Sequence, residues 1–220
     1  MASMIDVQNV SIAGMKWERD HLWIAAPEER LALCYDPVTG RAEEKIRYPH
    51  EIWDLCPSEE GVWMMTVGGR LGRKLVLWSP GEQAERRSFN CPEGAGAGMT
   101  LYDGRLWLLH RHNRKLFCLD PENGKTAWMQ RTEHESFSPA VYRNEFWLIE
   151  SDPGPMGHWS RTEQRRFFFS RLDPIREAIV ERLPVPFHPS CMAFDGERFW
   201  YSELDKKGLS SIPKRALMAK

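Results

Sequence analysis

Met99-Thr100-Leu101-Tyr102-Asp103-Gly104-Arg105-Leu106-Trp107-Leu108-Leu109 reads as two short apolar strands joined by a polar turn. Leu116-Phe117-Cys118-Leu119 then supplies a third strand, and Asp120-Pro121-Glu122-Asn123-Gly124 turns the chain again. Proline presets the first angle of such a turn and glycine accepts positive φ at its end. Residues 127–131 follow as a fourth strand, so about 35 residues encode four strands and no amphipathic helix.

The same phrase recurs on both sides. An apolar residue followed by Trp occurs at Leu22-Trp23, Val62-Trp63, Leu106-Trp107, Phe146-Trp147 and Phe199-Trp200, spaced by 40, 44, 40 and 53 residues. Polar turns precede these pairs at Glu60-Gly61, Arg143-Asn144 and Asp195-Gly196, and short apolar runs precede the turns at 15–18, 53–56, 140–142 and 192–194. Third strands end at Asp36-Pro37, Ser79-Pro80-Gly81 and Asp173-Pro174, with another fourth strand at 46–48. A period in the forties with four strands per repeat predicts an all-β, five-bladed β-propeller with four-stranded blades. The expected blades are 15–48, 52–90, 97–132, 138–184 and 190–213, in one domain over 1–220. The last repeat lacks a fourth strand after Ile212, so residues 5–10 are expected to pair with it and close the ring, removing exposed edges. A β-sandwich with coincidental Trp spacing is the alternative.

Asp195-Gly196-Glu197-Arg198-Phe199-Trp200-Tyr201-Ser202-Glu203 and the segment from Leu116 to Lys125 resemble repeats of the quinoprotein-like and lactonase-like propellers, virginiamycin B lyases among them. That resemblance covers nearly the whole chain and implies blade architecture only. Plant-type glutaminyl cyclases are similar in blade number, but their Phe-Thr-Gln-Gly-Leu type segment has no counterpart here, so none of their site residues carries over.

Composition limits the function classes. With 30 basic and 31 acidic residues and a net charge of −1, the chain has no global field to attract nucleic acid or an anionic membrane. No apolar run approaches the roughly 18 residues of a membrane span, and the start lacks a signal-peptide pattern. Five cysteines without a CxxC pair argue for reduced thiols, and with these features for a cytoplasmic protein. Oligomeric state is not legible.

In a propeller, ligands are expected on the face formed by the loops entering the innermost strands and those joining second to third strands. Six of the seven histidines map there, His21 being the exception. His50, His134 and His188 occupy repeat-equivalent entry positions, 13, 13 and 12 residues before the blade's Trp. In a ring such positions surround the axis, where three imidazoles can share a divalent metal, or act as acids and bases beside Glu51 and Glu135. They can equally cap strand ends. Arg70, Arg73, His110, Arg111, His112, His158 and Trp159 are candidate substrate-binding groups on the same face, the arginines for a carboxylate or phosphate. The insertion carrying His158 and Trp159 has the length of a lid. The expected function is a small-molecule enzyme of lyase, hydrolase or cyclase type acting at the channel mouth, with a metal as one option. The alternative is a binding scaffold for a protein, peptide or sugar. A deep, partly apolar pocket would favour the enzyme and a flat patch the scaffold.

Overall fold

A computed structural model describes residues 4–67, 72–152 and 165–218, and they form a five-bladed β-propeller. The first blade holds β1 (Met4–Ile5), β2 (Gly14–Glu18), β3 (His21–Ala26), β4 (Leu31–Asp36) and β5 (Arg41–Arg47). The second holds β6 (Ile52–Ser58), β7 (Gly61–Val67), β8 (Arg73–Ser79) and β9 (Ala84–Asn90). The third comprises β10 (Met99–Tyr102), β11 (Arg105–His110), β12 (Lys115–Leu119) and β13 (Thr126–Arg131). The fourth comprises β14 (Glu135–Tyr142), β15 (Glu145–Asp152), β16 (Arg166–Asp173) and β17 (Ala178–Val185). The fifth has three strands, β18 (Pro189–Phe194), β19 (Arg198–Glu203) and β20 (Ser210–Pro213), followed by a short helix α1 (Lys214–Met218). Every pairing within a blade is antiparallel.

Burial explains which sequences form which strands. Second strands are apolar on both faces because blades stack on both sides of them, as in β11 (Leu106 to His110 all buried) and β15 (Phe146 to Ser151 all buried). A strand covered on both faces reads as a continuous apolar run. Outer strands alternate or face water, as β9 and β13 do. The core is therefore five separate apolar layers between blades. One joins blades one and two around Ile52 and Met64, one joins two and three around Trp63 and Leu108, and one joins three and four around Trp107 and Phe146. Another joins four and five around Trp147 and Phe199, and the last joins five to one through Cys191, Ala193, Leu22 and Ile24. The ring is closed by that fifth layer. Each repeated Trp enters a different layer, Trp23 and Trp200 partly exposed and the other three buried.

The amino-terminal strand departs from expectation. β1 pairs with β5, Met4 opposite Glu43 and Ile5 opposite Ala42, as a fifth strand on the outer edge of the first blade rather than as the missing strand of the last. The cause is local: Asp6 caps a 3-10 turn over Val7–Asn9, its Oδ1 accepting from the Gln8 N–H at 3.0 Å, so residues 6–9 cannot run extended. The turn instead ties to the loop of the last blade, Gln8 Nε2 donating to the Leu209 carbonyl and Gly208 N to Val10 O. Among the described residues no helix is long and apolar enough to cross a membrane.

Candidate functional site at one end of the axis

Counting back ten residues from each repeated Trp gives Ala13, Trp53, Ala97, Phe137 and Ser190, one from each blade. All five line a single cavity of about 860 Å³. Most of the rest of its wall comes from the two predicted loop sets: Ser11, Ile12, Glu51 and Gly94 to Gly96 from entries, with Pro27, Glu28, Arg73, His110 to Asn113 and Glu203 to Lys207 at connections between second and third strands, and Met65 is added by β7 itself. The cavity is the axial mouth on the expected face.

One residue further along each inner strand lie Gly14, Asp54, Gly98, Ser138 and Cys191, and these make the floor. The strand pairing slips just before Asp54 and Cys191 and at Ser138, and such irregularities re-aim the side chains beside them. Asp54 Oδ2 accepts from Met99 N of the third blade at 2.7 Å, and Ser138 Oγ from Met192 N of the fifth at 2.8 Å. Asp54 also receives Lys16 Nζ at 3.0 and 3.1 Å and its neighbour's Leu55 N–H at 2.9 Å. Gly14 makes room for that carboxylate, since a Cβ there would stand 2.3 Å from Asp54 Oδ1. Both charges are buried, and burial pushes the Asp54 carboxyl above its ordinary value while Lys16 and the two N–H groups pull it back. The pair plugs the axis. Lys16 itself lines the opposite mouth, a smaller cavity of about 450 Å³.

Two of the five wall residues are aromatic, and each carries an arginine. The Arg73 guanidinium lies 4.8 Å from the Trp53 ring centre and Arg111 lies 4.2 Å from that of Phe137. Planar guanidinium groups stack on aromatic faces in this way. Arg73 donates to the Gly96 carbonyl, and burial pulls its pKa down. Arg111 Nε donates to Glu135 at 3.2 Å, and Arg165 Nη1 reaches the same carboxylate oxygen at 2.7 Å. Burial raises the Glu135 carboxyl, but Arg165 and Arg111 outweigh it and hold the group ionised below the usual range. His112 Nδ1 stands 3.7 Å from the other oxygen of Glu135. His110 is buried against Phe117, and neither of its ring nitrogens makes a hydrogen bond of ordinary geometry to a described residue. Burial lowers its pKa, against the opposing pull of nearby backbone carbonyls and Glu93.

Of the sequence-derived candidates, Glu51, Arg73, His110, Arg111 and His112 line the cavity, and Glu135 stands behind two of them. Arg70, His158 and Trp159 lie outside the described residues. The structure does not bring His50, His134 and His188 together. His50 packs edge-on against Tyr48 just past β5, His134 sits 3.9 Å from Glu133, which Arg182 of β17 binds, and His188 packs on Phe167 of β16. The entry loops of these blades run inward from an outer strand, so His50 and His134, three places before the wall position, and His188, two places before it, stay outside the cavity lining. Among the described residues no group of three or more His, Cys, Asp or Glu can hold a metal ion, which corrects the expected three-histidine site. Sequence reading missed Trp53, Phe137 and the Lys16–Asp54 plug. The signal for Trp53 and Phe137 was an aromatic ten residues before a repeated Trp. Burial pushes the Cys56 thiol up to about 11 and those of Cys91 and Cys191 to about 12, which disfavours the thiolate at these three positions.

No family model and no curated protein sequence matches this chain. Among solved structures, it is similar to the crystal structure of Myxococcus xanthus glutaminyl cyclase, with a TM-score of 0.65 and 13% identity over 96% of this chain and 94% of that one. At that identity the likeness shows a shared fold: this chain folds as a five-bladed propeller of the kind found in that cyclase.

Proposed function

We propose that the chain is a small-molecule enzyme whose acid–base group is His112 at the axial mouth, oriented by Glu135. The observation that carries this reading is the cluster on the cavity wall, in which a half-buried carboxylate held ionised by two arginines faces the imidazole of His112 at 3.7 Å. Histidine titrates near neutral pH, and an adjacent carboxylate fixes the ring and stabilises the imidazolium that forms when it accepts a proton. His112 takes the proton from an attacking hydroxyl or amine and returns it to the departing group, so the ring ends as it began. A cavity of about 860 Å³ with aromatic walls fits a small molecule better than a protein surface would.

Cyclisation heads the reactions to test, since the Myxococcus xanthus protein of the same fold is a glutaminyl cyclase; lactone and ester hydrolysis follow. The test is a panel of an N-terminal glutaminyl dipeptide, a lactone and an aryl ester, followed with the wild type, His112→Ala and Glu135→Gln. We expect saturable turnover of one substrate, a loss of about 100-fold or more in His112→Ala, and a smaller loss in Glu135→Gln. Equal rates in wild type and His112→Ala, or no turnover of any panel member, would overturn the reading.

A further inference from the structure

Resting on that reading, we infer that the substrate carries a single carboxylate on a flat apolar body, with the carboxylate bound by Arg73 and the body lodged between Trp53 and Phe137. The charges of the wall are otherwise accounted for. Arg111 has Glu135, Lys206 has Glu203 at 2.7 Å, and Lys207 has Glu28 at 3.9 Å. Glu28, Glu51, Asp205 and both lysines stand exposed at the rim, where water screens them.

Arg73 is different. It is half-buried, stacked on Trp53, and makes no ion pair with any described residue; its polar contacts are the Gly96 carbonyl and the Met65 sulfur at 4.0 Å. A guanidinium has five N–H donors in a planar fork, so most of that fork is unspent. Removing a cation from water without an anion is costly, and it is stabilised when a carboxylate arrives. The charge count selects the ligand. One cation without an ion-pair partner matches a monoanion, whereas a phosphate dianion would place an excess negative charge beside Asp54 and Glu51, whose fields already reach Arg73. Trp53, Met65, Ala97, Phe137 and Ile12 supply the apolar contact for the rest of the molecule.

Isothermal calorimetry with phenylacetate, its neutral isostere phenylacetamide, and phenyl phosphate tests this on the wild-type chain without any turnover. We expect saturable phenylacetate binding at least tenfold tighter than phenylacetamide and no weaker than phenyl phosphate. In Arg73→Gln the preference for the acid over the amide should disappear. Arg73→Lys keeps the charge but loses the fork and should retain only a few-fold preference, which covers the case in which the glutamine variant does not fold. Equal affinity for acid and amide, no phenylacetate binding, or phenyl phosphate bound tenfold more tightly would each overturn the inference. Loss of the carboxylate preference with turnover intact would leave the His112 reading standing. The preference without any turnover would uphold this inference and remove that reading.

Discussion

The two ends of the axis are built from the same five inner strands, yet one opens into about 860 Å³ and the other into about 450 Å³. At the smaller end the chain returns through tight turns, with positive φ at Arg19, Asp20, Asp103 and Arg143. At the larger end the loops run longer and bring in side chains from all five blades. Tight hairpin turns spend their residues on backbone geometry, whereas longer loops on a rigid scaffold have residues left for binding. Charged and aromatic side chains therefore gather where the repeat is least economical, and the buried Lys16–Asp54 pair lies between the two ends.

The largest effect should come from breaking that partition. Asp54→Ala leaves the Lys16 ammonium buried and unpaired, and should cost about 3–5 kcal/mol in urea unfolding; the double variant Lys16→Met/Asp54→Leu should recover much of it. A loss below about 1 kcal/mol in the single variant would show that water reaches the plug, in keeping with smaller costs for accessible ion pairs.

A middle-sized effect distinguishes the larger mouth by pH. The folded His110 has its pKa lowered by burial from the ordinary 6.5. As pH falls below that ordinary value the unfolded chain binds a proton that the folded ring refuses, so this group's contribution is intact above about 6.5 and is lost as pH falls through the depressed folded value. Melting temperatures of wild type and His110→Phe between pH 7.5 and 5 should diverge in that direction, the wild type falling more steeply. Parallel curves would mean that the ring protonates freely in the fold.

The smallest effect belongs to the other end. Arg143 is exposed over Tyr142 beside the smaller opening, and Arg143→Ala should change unfolding free energy by no more than about 0.5 kcal/mol and leave phenylacetate binding as it was. A tenfold loss of binding would place the ligand at the wrong end.

The sequence made the blades legible because packing between them demands a large aromatic at one fixed strand position, and turn chemistry brackets it. It also made legible the side on which the larger cavity opens, since loop lengths can be read directly. The convergence of His50, His134 and His188 was not legible, because equivalent positions share a radius from the axis without sharing a small one. Three residues separate His50 from Trp53 and His134 from Phe137, and that distance carries a side chain from the outer blade to the cavity wall. The Lys16–Asp54 contact joins strands 38 residues apart and depends on a bulge, which leaves no periodic mark.

The unequal outer blades, five strands in the first and three in the last, have a mechanical meaning. Among the described residues no ladder joins the last blade to the first; the join consists of side-chain packing, the Lys207–Glu28 ion pair and isolated hydrogen bonds from Gln8, Gly208 and Cys191. Like the other joins it can part without unzipping any sheet, and the last blade has one strand fewer to hold it, so amides of β18 to β20 should be the first of the ring to exchange with solvent.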